Sequence, residues 1–411
     1  MLSPNLNTEN RVIVSGMRST GALHLGHYHG VLKNWIKLQY EYKCLFFVAD
    51  WHALTTHYED PSQIESSVWE MVITWLSVGL NPGACHLFIQ SRVPEHAELH
   101  LLLSMITPLG WLERVPTYKD QQEKLKERDL STYGFLGYPL LQTADVLVYK
   151  AGFVPVGEDQ VSHLELSREV ARRFNYLYGR EKDYEEKALL AIKNMGKKNA
   201  KLYMDARRGY QETGDEEALA LGRALVSESA SLAIGDKERL VGYLEGTGKT
   251  ILPEPQALLT ETAKFPGLDG QKMSKSYGNT IGILEAPGSV EQKIRVMPTD
   301  PARVRRQDPG EPEKCPVYGL HKVYSSEGQK QWVQTGCRTA GIGCLDCKKV
   351  LIEGIVQEQA PIRAKAEEFR ANPSLVREIV RDGVEEARAI ARVTLEEVRE
   401  VIGISQKDRL T

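Results

Sequence analysis

A stretch rich in glycine and histidine, residues 15–27, constrains the fold of this chain more than any other feature. It reads SGMRSTGALHLGH and lies between a short apolar run, Arg11–Val14, and a segment with apolar side chains at helical spacing, Tyr28–Gln39. The pattern predicts a buried strand, a turn of small residues and the start of a helix. Because glycines let a ligand approach the backbone and a helix start attracts anions, the turn is a candidate anion site that His24 and His27 face.

Taken alone, this pattern is equally typical of a glycine-rich turn with two surface histidines. A second motif, Lys272–Ser276, changes the interpretation: it reads KMSKS and follows the turn-rich segment Pro266–Gly270. Its lysines are compact cations that suit phosphate oxygens. The two motifs together predict a nucleotide site with a loop that closes on it. They resemble the two signatures of class I aminoacyl-tRNA synthetases.

Length and composition limit the kind of protein. The 411 residues are enough for two or three domains, and a hydrophobic content of 42% is typical of a globular protein. No apolar run is long enough to span a bilayer, and Met1–Asn5 begins no signal-peptide core. These features predict a cytoplasmic protein with no membrane partner. The net charge of −3 indicates that a nucleic acid would have to bind through local basic patches.

Apolar runs alternate with helical patterns in the N-terminal part of the chain. The pattern predicts strands at Lys43–Asp50 and Ala84–Ile89, and helices at Asp60–Leu80 and His96–Met105. This alternation is typical of an α/β fold with a parallel sheet and helices on both faces. Ligands of such sheets bind at the carboxyl ends of the strands, which is where His24, His27, Asp50 and His52 fall.

Several blocks resemble the tryptophanyl-tRNA synthetase family more narrowly. They are ADWHALT (49–55), GYPLLQTADVLVY (137–149), VPVGEDQ (154–160), LELSRE (164–169), TDPARVRR (299–306) and DPG (308–310). The resemblance extends to about Asn175, resumes near Leu252 and runs through the last of these blocks. Within them, Asp145 stands in an apolar run, where a carboxylate is costly unless a nearby cation or a bound ligand pairs with it.

The resemblance implies a Rossmann-type catalytic domain and the reaction of a tryptophan–tRNA ligase. Such an enzyme activates tryptophan with ATP and Mg²⁺, releases pyrophosphate, and transfers the tryptophanyl group to the 3′ end of tRNA(Trp). The family also implies a homodimer. In this chain the residues around the triphosphate would be His24, His27, Lys272 and Lys275. The other ATP contacts would be Gly26, Asp159, Met273, Ser274 and Ser276, with Asp159 at the ribose.

The same resemblance implies a tryptophan pocket formed by Arg18, His52, Tyr138, Gln142, Asp145, Val154, Val156 and Gln160. In this pocket the Asp145 carboxylate accepts the indole N–H, and the two valines wall the indole. Tyr138 and Gln160 hold the α-amino group, and His52 lies against the amino acid.

This chain departs from many bacterial family members at four positions. Arg18 stands where many have Gln, and His24 and His27 stand where many have Thr and Asn. Gln142 stands where many have an apolar Met on the indole wall. These differences mark a divergent branch and concern the fine substrate contacts rather than the reaction.

The predicted domain organisation has four segments. Residues 1–183 and 252–295 form the two parts of the catalytic domain, and the second part carries the Lys272–Ser276 loop. Residues 184–251 form a mainly helical insertion where the resemblance lapses, which is either a solvated spacer or a surface for the tRNA acceptor or another partner. Residues 296–411 form a helical domain, which in this family binds the anticodon.

Four of the six cysteines cluster in the C-terminal part, as Cys315-x21-Cys337-x6-Cys344-x2-Cys347. In a cytoplasmic protein this spacing favours a metal site over disulfides, and four thiolates suit either tetrahedral zinc or an iron–sulfur cluster. The family resemblance favours a [4Fe–4S] cluster, with structural Zn²⁺ as the alternative, that fastens a long loop, 317–346. The remaining two, Cys44 and Cys85, lie in strand patterns and are expected to be inert core residues.

Two other functions are compatible with parts of the sequence. A tyrosine-specific class I ligase shares both signatures, but the blocks around Asp145 match the tryptophan family better. A non-catalytic RNA-binding relative would be expected to lose His27, Lys272 or Lys275, and this chain keeps all of them.

Overall fold

Strands and helices follow the order expected from the sequence. A computed structural model describes residues 11–115, 132–157, 161–180, 183–259 and 265–405. The strands in these residues are β1 Val12–Met17, β2 Lys43–Val48, β3 Cys85–Ile89, β4 Phe153–Val156 and β5 Gln256–Leu259. The α-helices are α1 Leu25–His27, α2 Lys33–Leu38, α3 Asp50–His57, α4 Ile64–Val78, α5 Glu95–Ser104, α6 Leu109–Glu113, α7 Tyr133–Leu147, α8 Val161–Tyr178, α9 Tyr184–Asn194, α10 Lys197–Thr213, α11 Glu216–Glu228, α12 Ile234–Glu245, α13 Pro287–Val296, α14 Pro316–Tyr324, α15 Glu327–Arg338, α16 Cys344–Ala371 and α17 Pro373–Ile402.

The strands lie in the order β3-β2-β1-β4-β5. Strand β1 pairs in parallel with β4, and β2 pairs in parallel with β3, where Cys44 lies opposite Cys85. Both cysteines are buried, and desolvation raises the pKa of each thiol to about 12, so they are inert as expected. The predicted α/β fold with a parallel sheet is confirmed.

Two helices begin differently from the sequence pattern. The residues after the first signature, Tyr28–Leu32, form a π-helical turn, and α2 begins only at Lys33. Such turns occur often at functional sites. Helix α4 begins at Ile64 because the Asp60 carboxylate accepts hydrogen bonds from the N–H and hydroxyl of Ser62, at 3.2 and 2.6 Å, in a turn before the helix.

The described residues belong to two compact units. The first lies within Met1–Ser15, Val93–Leu258 and Glu386–Thr411, and the second lies within Gly16–Arg92 and Leu259–Glu385. One apolar cluster of the second unit includes residues from both signature motifs, together with residues from α13, α14 and α16. Its fully buried members include Leu25, Ile281, Val290, Ile294, Leu320, Leu351 and Ile355, with Met273 at 4% exposure. The two motifs are therefore held by a common core.

Residues 184–251 are mainly helical, as predicted. Helices α9 to α12 pack around a core of their own, which includes Ala188, Tyr203, Val226, Leu240 and Leu244. Within the part of the chain that the structure describes, no helix is long and apolar enough to cross a membrane.

The segment between the clustered cysteines differs from the prediction made from the sequence. Residues 317–346 were expected to be a long loop without a core, but they contain α14 and α15. Val317, Leu320 and Val333 are buried because the apolar side chains of this segment recur at helical spacing. A metal group there would join helices rather than order a loop.

Candidate active site

The first signature leaves β1 through a turn at Gly21, whose φ of +93° favours glycine. His24 follows as the residue before α1, and it pairs with Gly282 in a short antiparallel bridge. The Leu25 N–H donates to the Ile281 carbonyl, and the Ile283 N–H donates to the Leu23 carbonyl, both at 2.9 Å. These bonds hold the first signature against the segment that follows the second one.

His24 and His27 form a stacked pair. Their ring centroids are 3.7 Å apart, and the His24 backbone N–H donates to Nδ1 of His27 at 3.2 Å. Desolvation, with a smaller effect of the Lys275 charge, lowers the pKa of His24 to about 4. Desolvation and the charges of His24 and Lys275 hold the pKa of His27 well below its ordinary value. Both imidazoles are therefore neutral at pH 7 and offer dipoles rather than positive charges.

One ring nitrogen of this pair is available to bind a substrate atom. Within the described part of the chain, the His24 Nδ1 atom is buried and has no hydrogen-bond partner. A Cβ on Gly26 would lie 3.0 Å from Nδ1 and Cε1 of His24, a tight contact that would require the ring to shift by a few tenths of an ångström. A buried nitrogen without a partner costs free energy that a polar substrate atom can recover.

The second signature lies at the end of a hairpin. Met273 N–H donates to the Phe265 carbonyl at 2.9 Å, and Met273 itself is buried in the apolar cluster. The Asn279 side chain accepts from Ser274 N–H at 2.8 Å and donates to the Asp269 carboxylate at 2.7 Å. Sequence reasoning missed Asn279, although it lies only three residues beyond the motif. It holds the loop that carries the two lysines.

Lys275 joins the two signatures directly. Its ammonium donates to the carbonyl oxygens of Thr20 and Gly21, at 3.0 and 2.9 Å. The side chain as a whole stays exposed, but surrounding protein atoms desolvate the ammonium and lower its pKa to about 8. Lys272 and Ser276 are exposed at the same loop, and Ser274 is half-buried. The structure thus brings together all the described residues predicted to contact ATP.

A second group of predicted residues lies in the first unit, around α7. Asp145 is 1% exposed, and its carboxylate is hydrogen-bonded to Nδ1 of His96 at 2.6 Å. Nε2 of His96 is in turn 2.7 Å from the Tyr149 hydroxyl. Desolvation, followed by the charges of Asp145 and Glu95, holds the pKa of Tyr149 well above its ordinary value. Sequence reasoning missed His96 because it lies 49 residues from Asp145.

Other residues of the predicted pocket lie on α7, which also carries Asp145, and on β4. Tyr138 and Gln142 lie seven and three residues before Asp145, which places them on one helix face. Val154 and Val156 are buried on β4. His52 is buried on α3 and Arg18 is exposed after β1, both in the second unit. Asp159 and Gln160 lie outside the described residues.

The four clustered cysteines lie close to one another in the second unit. Desolvation, followed by the effects of the other three thiols, raises the pKa of Cys347 to about 12. Nε2 of His321 is 3.2 Å from the Cys347 sulfur, and an Arg303 guanidinium nitrogen is 3.8 Å from the Cys337 sulfur. Among the described residues, however, no three His, Cys, Asp or Glu side chains are arranged closely enough to hold a metal ion.

Comparisons with known proteins identify relatives over nearly the whole chain. The family model of the class I tRNA synthetases for tryptophan and tyrosine matches residues 6–199 and 220–358. The chain is 66% identical to the tryptophan–tRNA ligase of Ralstonia nicotianae, over 96% of this chain and 98% of that protein. It is 43% identical to the tryptophan–tRNA ligase of Thermotoga maritima, over 95% and 99% of the two chains.

Solved structures show the same fold. The tryptophanyl-tRNA synthetase of Campylobacter jejuni, complexed with ADP and tryptophan, superposes with a TM-score of 0.72 at 26% identity. This match covers 95% of this chain and 99% of that one. The motif pair, the family model and the near full-length relatives together establish that the chain belongs to the class I tRNA synthetases of the tryptophan and tyrosine family.

Proposed function

We infer that this chain is a tryptophan–tRNA ligase. It activates tryptophan with ATP to tryptophanyl-adenylate and pyrophosphate, and then transfers the tryptophanyl group to the 3′ end of tRNA(Trp). The observation that carries this conclusion is the convergence of His24, His27 and Lys275 in one site, in a chain with near full-length relatives of that activity. ATP and tryptophan are its substrates and tRNA is its partner.

The activation step needs positioning and charge stabilisation rather than a nucleophilic side chain. The tryptophan carboxylate attacks the α-phosphorus of ATP in line, and pyrophosphate leaves. We assign to Lys275 the stabilisation of the phosphoryl oxygens, with its ammonium exchanging the Thr20 and Gly21 carbonyls for ATP oxygens. The neutral His24 and His27 donate hydrogen bonds to the same oxygens. Mg²⁺ would arrive with the nucleotide and neutralise part of its charge.

Further ATP contacts are assigned on the family pattern and the position of each side chain. Lys272 and Ser276 are exposed on the loop and reach the phosphates, and Ser274 lies beside them. Gly26 leaves room for the His24 ring, and Met273 anchors the loop in the apolar cluster. Asp159 is assigned to the ribose on the family pattern alone.

Amino-acid selection is assigned to the group around Asp145. We propose that its carboxylate accepts the indole N–H, while the bond from His96 fixes the carboxylate in place. Val154 and Val156 wall the indole, and Tyr138 holds the α-amino group with Gln160. Gln142, on the same helix as Asp145, is assigned to this pocket, and Arg18 and His52 are assigned to the amino acid on the family pattern alone. A carboxylate placed to accept the indole N–H selects tryptophan because an amino acid without a matching donor cannot make that hydrogen bond.

Purified protein should catalyse ATP–pyrophosphate exchange that depends on tryptophan. Exchange with tyrosine or phenylalanine at equal concentration should be lower by several orders of magnitude, since sites that bond a substrate donor reject analogues by about 10⁴-fold or more. The assay needs no tRNA, so it tests the activation step alone. Equal exchange with tyrosine would contradict the tryptophan assignment.

We further propose that Cys315, Cys337, Cys344 and Cys347 bind a [4Fe–4S] cluster. Cys315, Cys337 and Cys344 all lie near enough to Cys347 to help raise the pKa of its thiol, which supports one common site. Four cysteines that end in Cys-x-x-Cys suit a cluster of four irons held by four thiolates. Structural zinc is the alternative. The group would fasten the start of α14 and the end of α15 to the first turn of α16.

Cys344→Ser tests the metal group and its role. The wild-type protein purified without oxygen should be brown and carry about four irons per chain, and the variant should lose both. Tryptophan activation should persist in the variant and tRNA charging should fall, because none of the four cysteines is among the residues assigned to ATP or tryptophan. Cys85→Ala is the control, since that thiol is buried in β3.

Other outcomes separate the alternatives. One tightly held zinc per colourless chain would support the zinc site. A joint fall of exchange and charging would mean that the group supports the whole fold. If neither activity changes, the proposed anticodon-side role is wrong.

Location, domain organisation and oligomeric state complete the proposal. We propose a cytoplasmic homodimer of an iron–sulfur branch, with catalytic segments 1–183 and 252–295, an insertion at 184–251 and an anticodon-binding segment at 296–411.

Support for the dimer comes from large apolar side chains on the first unit, with Leu101 at 55%, Met105 at 71% and Leu109 at 62% exposure. Sedimentation that returns only the mass of one 46.2 kDa chain would contradict the dimer.

A further inference from the structure

A hydrogen-bonded group of four side chains lies beside the first signature, in the second unit. Its members are His29 and Lys33 on the turn and helix after the signature, Tyr324 at the end of α14, and Glu358 on α16. Lys33 Nζ donates to one Glu358 carboxylate oxygen at 2.9 Å, and Nε2 of His29 is 3.1 Å from the other. Nε2 of His29 is also 2.9 Å from the Tyr324 hydroxyl. No substrate role has been assigned to any of these residues.

The bonds of His29 determine its tautomer. Lys33 Nζ lies 3.2 Å from Nδ1, and because an ammonium can only donate, Nδ1 must accept. The proton therefore sits on Nε2, where it points to the Glu358 carboxylate. Burial alone would raise the pKa of Glu358, but hydrogen bonds from His29 and Lys33 outweigh it and lower the pKa to about 2. Glu358 is thus a charged acceptor that fixes the edge of the imidazole.

The face of the same imidazole supports the second signature. The rings of His29 and Phe265 stack with centroids 4.7 Å apart and an interplanar angle of 19°. Phe265 is buried, and its carbonyl accepts the Met273 N–H that closes the hairpin. The position of the loop with Lys272 and Lys275 therefore depends on where the His29 ring is held.

The next residue of α16 holds the other side of the site. Gln359 is fully buried, and its side-chain amide donates to the Gly282 carbonyl at 2.7 Å. Gly282 is the bridge partner of His24. Two consecutive residues of one helix thus hold the segments that carry His24 and Lys275.

We propose that Glu358 is a positioning residue of the ligase reaction, which sets the place of the Lys272–Ser276 loop through His29 and Phe265. It touches neither ATP nor tryptophan, and it acts on the loop that receives the nucleotide. This proposal rests on the assigned ligase function. It predicts that a change at Glu358 lowers kcat/KM for ATP much more than it alters KM for tryptophan.

The test compares Glu358→Ala with Glu358→Gln in ATP–pyrophosphate exchange, with the full-length protein. Glu358→Ala should lower kcat/KM for ATP by about tenfold or more, since a hydrogen bond to a charged group is worth that factor, while KM for tryptophan stays within about twofold. Glu358→Gln keeps one acceptor and the side-chain volume, so it should recover a large part of the loss. Glu353→Gln, at an exposed position of the same helix, is the matched control and should behave as wild type.

A double variant tests whether Glu358 acts through His29. If it does, Glu358→Ala and His29→Ala together should lower kcat/KM for ATP no more than the stronger single change. Additive losses would overturn the proposal, as would an unchanged kcat/KM for ATP in a folded Glu358→Ala protein. A parallel rise of KM for both substrates with a lower melting temperature would show a merely structural role. Absence of tryptophan-dependent exchange in the wild type would instead refute the ligase function itself.

Discussion

Replacing Lys275 with alanine should lower the rate of tryptophan-dependent ATP–pyrophosphate exchange by about two orders of magnitude or more. The ammonium lies between the two signatures, bonded to the Thr20 and Gly21 carbonyls. Phosphoryl oxygens that gain charge in the transition state would attract it more strongly than these neutral carbonyls do. The loss should therefore appear mainly in kcat, with a smaller change in the affinity for tryptophan.

The protonation of Lys275 gives this prediction a second readout. With a pKa of about 8, the side chain is charged below that pH and becomes neutral above it. In the wild type, kcat/KM for ATP should accordingly fall as the pH rises through about 8. Lys275→Arg should remove this fall, whatever its absolute rate, because a guanidinium stays charged. Lys37→Ala, at an exposed position on α2, is the control. Near-normal exchange by Lys275→Ala would contradict the assignment.

Replacing Asp145 with alanine should weaken tryptophan recognition by about 1–3 kcal/mol, which is the cost of leaving a donor unpaired in a pocket. The indole N–H would lose its acceptor, and His96 would lose the partner that it now meets at 2.6 Å. Rejection of tyrosine and phenylalanine should weaken at the same time, because hydrogen-bonding sites discriminate strongly. The measurement is kcat/KM of exchange for each of the three amino acids.

A variant of His96 separates binding from positioning at this site. His96→Ala leaves the Asp145 carboxylate in place without its bond, so tryptophan selectivity should fall by less than in Asp145→Ala. Asp205→Ala, an exposed carboxylate on α10, controls for the change of charge. Unchanged selectivity in Asp145→Ala would show that the indole binds elsewhere.

Residues of the signature motifs could be predicted from the sequence because each motif is a short local pattern. Gly26, His24 and His27 lie within four positions, and the turn that contains them follows from glycine and strand patterning. The supporting residues could not be found this way. His96 meets Asp145 over a separation of 49 residues, and Glu358 meets His29 over 329 residues. No local pattern marks such partners.

In the segment between the clustered cysteines, local spacing identified side chains correctly but led to the wrong secondary structure. Cysteine spacing drew attention to the thiols, and the intervening residues were interpreted as a loop. The apolar periodicity that forms α14 and α15 was present in the same residues, and Val317 and Leu320 of α14 are buried in one cluster with residues of α16. Local spacing thus identified the thiols but not the structure that presents them.

The sequence by itself determined the order of strands and helices and the two signature motifs, because these depend on local spacing and side-chain chemistry. The class of reaction was implied by the resemblance of those motifs to class I aminoacyl-tRNA synthetases. Only the tertiary structure decided the protonation of His24, His27 and Lys275, the partner of Asp145 and the support of the signature loop. The physical reason is that desolvation and hydrogen bonding depend on the atoms that surround a group. Folding supplies those atoms from distant parts of the chain, as it brings Thr20 and Gly21 to Lys275 across more than 250 residues.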